Sequence, residues 1–182
     1  PATNELCKAE QELAGQKGNV SQLRKVVLQI KDEYDIILLD CLPSLGILAT
    51  NAMIASDTII VPMVCEHFAL EGLAQLMLNV KKVKKKANPD LSIMGIVFTM
   101  LDKRLTASNE IMREIKRTFD NKVLFKTEIP RNVKISEAQS HGEPIFYYDK
   151  SSKGADSYKR LSKEILDKCR EMEKRNVENK KD

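Results

Sequence analysis

Three unbroken apolar runs constrain the fold: IILL at 36–39, TIIVPMV at 58–64 and IMGIVFTML at 93–101. A strand with one wet face alternates apolar and polar residues, so runs without alternation predict strands covered on both faces. Pro62 inside the second run predicts that this strand ends or bends there. Between the runs the period changes. Val20, Leu23, Val27 and Ile30 recur at spacings of three and four. Ala69, Leu73, Leu76, Met77, Val80 and Val83 do the same within a long helix predicted over 66–86. Leu105, Met112, Ile115 and Phe119 stripe another helix, and 123–129 predict a fourth strand, stopped by Pro130. Further helices are predicted at 4–13, 47–55, 132–139 and along Tyr158, Leu161, Ile165, Cys169 and Met172, with Ser21 as a candidate cap. Strands alternating with helices predict an α/β fold, a parallel sheet with helices on both faces. The 182 residues, 42% of them hydrophobic, are one domain's worth of chain. Residues 1–168 are read as part of a single domain, and 169–182 as a polar tail expected to fray.

Thirty basic against 26 acidic residues leave +4, a balance that permits weak polyanion binding without requiring it. With no Trp and few aromatics, stacking on single-stranded nucleic acid is not expected. Cys7, Cys41, Cys65 and Cys169 lie far apart, and His67 and His141 offer no zinc spacing. That usage predicts reduced thiols in a cytoplasmic protein. No apolar run approaches the roughly 18 residues of a membrane span.

The chemistry gathers at YDIILLDCLPSLG, residues 34–46. In parallel sheets ligands collect beyond the carboxyl ends of strands, which is where Asp40 falls. A carboxylate there needs a partner, and magnesium, reached directly or through water, is a natural one. The turn that follows, with Pro43, Ser44 and Gly46, brings backbone N–H groups toward the same place, half of a phosphate site. A strand-end aspartate that merely caps its turn fits the same letters. A phosphorylatable receiver domain fits less well. Its pattern places proline four residues after the aspartate, not three, and needs an earlier acidic pair that the preceding helices do not supply.

The run YDIILLDCLPSLGILATNAMIASDTIIVPMVCEHFALEGLAQL resembles switch II, and the strand and helix after it, of the ParA/Soj family of deviant P-loop ATPases. PATNELCKAEQEL is similar to the stretch before switch II; FTMLDKR and IPRNVKISEAQSHGEPIFYYDKSSKGADSY match later segments in the same order. The likeness extends to about Ile165. The departures are specific. The sequence contains no glycine-rich GKGGxGK(S/T)T loop and no switch I, so roughly the first hundred residues of a family domain are expected to be missing. Leu42 stands where the family has the first proline of a Pro-Pro pair.

The resemblance implies ATP and magnesium as cofactors of the complete protein. Asp40 would be the Walker B aspartate, holding magnesium through water. Pro43, Ser44 and Gly46 would belong to the loop that senses the γ-phosphate. Met100, Pro130, Arg131 and Asn132 would lie around the base. The plainer reading of Pro130-Arg131-Asn132 is a helix start with an Asn cap. Family members bind DNA non-specifically as ATP-bound homodimers, and here Lys116, Arg117, Arg131 and Lys134 are the candidate contacts. The lysines at 81–86 read instead as a solvated helix end. A ParB-type partner and a cytoplasmic, nucleoid-associated location follow from the same resemblance, with no membrane. Without the glycine-rich loop the 182 residues alone are not expected to hydrolyse ATP. Two alternatives stand beside this: a P-loop-less module that only binds DNA or a partner, and a MinD-like membrane-cycling ATPase. The polar ending CREMEKRNVENKKD disfavours the second.

Overall fold

The computed structural model describes residues 6–13, 16, 18–42, 44 and 46–178. The chain forms two compact units, one of Pro1–Ile59 with Glu71–Ser92, the other of Ile60–Leu70 with Ile93–Asp182. In chain order the elements are α1 (Leu6–Leu13), α2 (Gln22–Ile30), α3 (Ile47–Ala55), β1 (Thr58–Val64), α4 (Ala69–Lys86), β2 (Ser92–Thr99), α5 (Thr106–Thr118), α6 (Val133–Ser140), α7 (Ile145–Tyr148) and α8 (Lys153–Glu178). This is the expected α/β order. Among the described residues no helix is long and apolar enough to cross a membrane.

In the first unit, the apolar helix α3 is held by one buried amide. Asn51, 3% exposed, donates from Nδ2 to the carbonyls of Asn19 (2.8 Å) and Ile47 (2.9 Å) and accepts the Leu23 N–H with Oδ1 (3.2 Å). Such complete pairing is what makes an amide tolerable inside an apolar helix. Asn88 does the same for the carboxyl end of α3, donating to the carbonyls of Met53 (3.0 Å) and Ser56 (2.8 Å). Ser21 precedes α2 but makes no capping bond; its hydroxyl donates to Gly18 O instead.

The run 36–39 departs from expectation. Residues 36–40 form no strand, and Leu38 is 79% exposed. A strand exists through the neighbours that take its N–H and C=O groups, and among the described residues none flanks this run. The apolar pattern encodes a covered strand whose covers are not present in these residues.

In the second unit, β1 and β2 are sheet neighbours, connected in sequence through α4. β1 runs on through Pro62, its one exposed residue, rather than stopping there. Alternate residues of β2 face opposite sides. Val97 joins Met94, Phe125, Ile129 and Leu161 in a buried cluster that Ile135 of α6 and Tyr158, Ile165 and Met172 of α8 complete. Phe98, fully buried, has the Lys116 ammonium of α5 5.6 Å from its ring centroid. Helices therefore cover both faces of this sheet.

The fourth strand expected at 123–129 is reduced to two parallel bridges on β2 and its continuation, Ile96 with Leu124 and Leu101 with Pro130. Phe125 and Ile129 still donate to Ile96 O (2.9 Å) and Phe98 O (2.8 Å). Two of the three amides between them turn to α8, where Glu164 accepts from Lys126 (2.7 Å) and Thr127 (3.0 Å). The ladder is interrupted because a side chain has taken its donors. α8 remains helical to Glu178, through most of the polar stretch after Cys169.

Candidate functional site

Two groups of predicted site residues lie in separate units. The first is the turn after Asp40. The extended run delivers the Asp40 carboxylate to an exposed position, followed by exposed Cys41 and Leu42. Burial, and then the neighbouring Asp40 charge, push the Cys41 thiol upward, so it stays a neutral thiol rather than a metal-binding thiolate. Ser44 is exposed and its N–H donates to Leu42 O at 2.7 Å. Gly46 is the residue before α3, and the Thr50 hydroxyl returns to its carbonyl at 3.0 Å. Pro43 lies outside the described residues.

This donor set can be tested against magnesium. Among the described residues no three His, Cys, Asp or Glu side chains cluster to cage an ion. One exposed carboxylate, with the exposed Ser44 four residues on in the chain, suits an ion that keeps its waters and takes further oxygens from a phosphate, which is how magnesium is held in nucleotide sites. The residues present fit that role. They do not fit a dedicated all-protein metal cage.

The second group centres on the Leu101–Pro130 bridge. Leu101 N–H donates to Ile129 O at 3.0 Å, and Arg131 N–H to Leu101 O at 3.1 Å. These bonds bring Met100, Pro130 and Arg131, three of the four residues expected around a base, to one edge. Met100 adopts a left-handed φ of 49° and is 51% exposed. A cleft of about 40 Å³ opens here, lined by Cys65, Met100, Asp102, Leu105, Ser108 and Arg131 among others. Its volume has room for a few waters and no more.

Asn132, the fourth, is occupied otherwise. Its Oδ1 accepts the Lys134 N–H at 2.8 Å and caps α6. The plainer reading of that asparagine therefore describes its contacts. Asp102, which the sequence reading passed over, accepts from the Arg104 side chain at 2.9 and 2.6 Å. Hydrogen bonds from the Arg104 side chain, then its backbone N–H, with Arg131 adding charge, hold the Asp102 carboxyl at about 2. At the cleft's inner wall, burial and then the nearby Glu128 charge push the Cys65 thiol up to about 11.

The four candidate DNA contacts divide. Lys116 pairs with Glu128 at 3.1 Å, and Lys103 takes the other oxygen at 2.7 Å. Burial opposes ionisation of Glu128, but the bonds and charges of Lys103 and Lys116 outweigh it and hold the carboxyl below its ordinary value. Lys134 pairs with Glu137 at 2.7 Å, which also accepts from the Tyr148 hydroxyl at 2.9 Å. Arg117 and Arg131 are exposed and make no ion pair among the described residues. The sequence offered four candidate cations in two groups, Lys116 with Arg117 and Arg131 with Lys134. Of these four, the two arginines are the ones without an ion pair among the described residues.

Comparison with known proteins bears on the chain as a whole. The family model described as an AAA domain matches residues 1–93. The sporulation initiation inhibitor protein Soj of Bacillus subtilis is 47% identical over 165 residues, covering 91% of this chain and 65% of that protein. The chain belongs to the ParA/Soj family. A second ParA/Soj relative, the chromosome-partitioning ATPase Soj of Treponema pallidum, is 46% identical over 166 residues with the same coverage. The chain thus spans just under two thirds of these relatives. Among solved structures, cobyrinic acid a,c-diamide synthase from Mycobacterium smegmatis, with bound ATP analog and magnesium, matches with a TM-score of 0.74 and 28% identity, over 91% of this chain and 60% of that one. The α/β fold of the ParA/Soj chain is therefore shared with a nucleotide-binding enzyme.

Proposed function

We propose that the chain is the C-terminal portion of a Soj/ParA-type ATPase for chromosome or plasmid partitioning. In the complete protein, Asp40 holds magnesium through water, and Ser44, Gly46 and Pro43 belong to the loop that responds to the terminal phosphate. Met100, Pro130 and Arg131 border the base. The complete protein dimerises with ATP bound, coats DNA without sequence preference and answers to a ParB-type partner, in the cytoplasm at the nucleoid. The glycine-rich phosphate loop and its lysine, which this sequence does not contain, would come from the remainder of that protein.

The observation that carries this reading is the Leu101–Pro130 bridge. It gathers the two distant segments that the family resemblance assigns to the base, in a chain 47% identical to Soj. When bound, magnesium would neutralise charge on the phosphates; Asp40 would orient its water shell, and the turn after Asp40 would track the phosphate end.

Asp40→Ala in the complete protein is the deciding experiment. Magnesium-dependent ATP turnover should fall by on the order of 100-fold or more, since phosphoryl transfer depends on metal placement. Turnover within a few fold of the parent would remove Asp40 from that role and the reading with it.

A further inference from the structure

Glu10 of α1 lies 36 positions before Gly46 in the sequence, yet its carboxylate sits at the start of α3. Its Oε1 accepts the Ile47 N–H at 3.1 Å. Gly46, the residue in the capping position, has no side chain to offer, and α3 has no capping bond of its own. The space beside Gly46 tells of the same placement. A Cβ built on Gly46 would overlap the same Glu10 oxygen and lie 3.2 Å from its carboxyl carbon. The carboxylate therefore occupies the space of the missing side chain. Gly46 has φ −72° and ψ −169°, a conformation open to any residue, so what this glycine supplies is room and not backbone freedom.

Helix starts leave N–H groups without partners, and a negative charge there is favoured by the helix dipole. In α3 a remote carboxylate supplies both, where a local Ser, Thr, Asp or Asn ordinarily would.

We propose that Glu10 is a positioning residue: by capping α3 from outside the helix, it fixes where Gly46 and Ile47 lie, and so where the turn after Asp40 ends. The link to that turn's phosphate role rests on the reading proposed above; the cap itself does not. Two of the described N–H groups at this turn are then already engaged, Ser44 with Leu42 O and Ile47 with Glu10. The polypeptide thus holds its own anion at the α3 terminus, and a phosphate meeting this turn must do so without the Ile47 amide unless Glu10 withdraws.

Amide hydrogen exchange on the 182-residue chain tests this. Glu10 is exposed, so its replacement removes little packing. Glu10→Ala should speed exchange at Ile47 by on the order of fivefold, the loss of an ordinary helix cap. Glu10→Gln keeps both the bulk and an acceptor oxygen and should stay within about twofold of the parent, whereas Glu10→Met keeps the bulk alone and should speed exchange as Glu10→Ala does. The Leu23 amide, held by Asn51 in the same unit, should not change in any of these variants. Unchanged Ile47 exchange in Glu10→Ala overturns the proposal. So does an equal rise at Leu23, which would mean general loosening of the unit. A separate arm distinguishes the two readings: if the complete protein binds no magnesium–ATP while Ile47 responds as expected, the nucleotide reading fails and the cap stands.

Discussion

Glu164 on α8 accepts the Thr127 N–H at 3.0 Å, while its other oxygen takes the Lys126 N–H at 2.7 Å. One carboxylate thus serves two adjacent backbone donors that a sheet would otherwise have to satisfy. Lys168, one turn later on the same helix, donates to Lys122 O at 3.1 Å and Met94 O at 3.3 Å. Glu164→Ala would leave both amides without this acceptor and should destabilise the chain by about 1–3 kcal/mol. Urea denaturation reads this directly. A change under about 0.5 kcal/mol would show that water replaces the carboxylate without loss.

Glu128 sets an acid limit. Its folded carboxyl titrates below its ordinary 4.5 because Lys103 and Lys116 overcome the effect of burial. The stabilisation is therefore fully present above that ordinary range and disappears as pH falls through the lower folded value. Glu128→Gln should flatten the loss of stability on acidification below about pH 4.5, seen in denaturation midpoints taken at successive pH values. Identical slopes for parent and variant would contradict the coupling.

Asn132 makes a contact that substitution can separate from any role near a nucleotide. Asn132→Ala removes the α6 cap and should cost about 1 kcal/mol, whereas Asn132→Asp should retain most of it. Thermal melts of the two variants would show the split; equal losses would mean that the cap bond at 2.8 Å contributes nothing measurable.

For DNA, the geometry ranks the candidates. Arg131→Ala in the complete protein should weaken binding evenly across sequences and reduce the magnitude of the salt slope by about one. Lys134→Ala should do less, because Glu137 already holds that ammonium at 2.7 Å. Fluorescence anisotropy over a salt series measures both. A larger effect from Lys134 than from Arg131 would reverse the ranking.

The element order was legible because it is written in local periodicity: nearly every helix lies where its apolar stripe predicts. The failures share a cause. The run 36–39 carries the composition of a covered strand, but composition records what a segment is suited to and not which neighbours are there. Segment 123–129 was misjudged because its interruption depends on Glu164, 37 positions beyond Thr127. At the candidate site, the grouping of Met100 with Pro130 and Arg131 was readable only through family resemblance, since no local rule brings those segments together. The pairing of Lys134 with Glu137, three residues on in α6, follows a helical spacing, whereas that of Lys116 was invisible, because an ion pair between α5 and Glu128 has no signature in spacing. Glu10 was missed for the same reason, although a glycine before an uncapped apolar helix is a hint that the cap is elsewhere.

Met100 carries one more consequence. A left-handed φ costs a residue with a side chain roughly 1 kcal/mol or more, and the chain bears that cost at the lip of the cleft. Glycine would relieve the strain but leave the lip free to wander, and valine or isoleucine would raise the cost further. Sequence drift at this position is thus confined from both directions. An unbranched, pliant side chain in an awkward backbone is a compromise between rigidity and comfort, and it should make position 100 slow to change even though half its surface faces water.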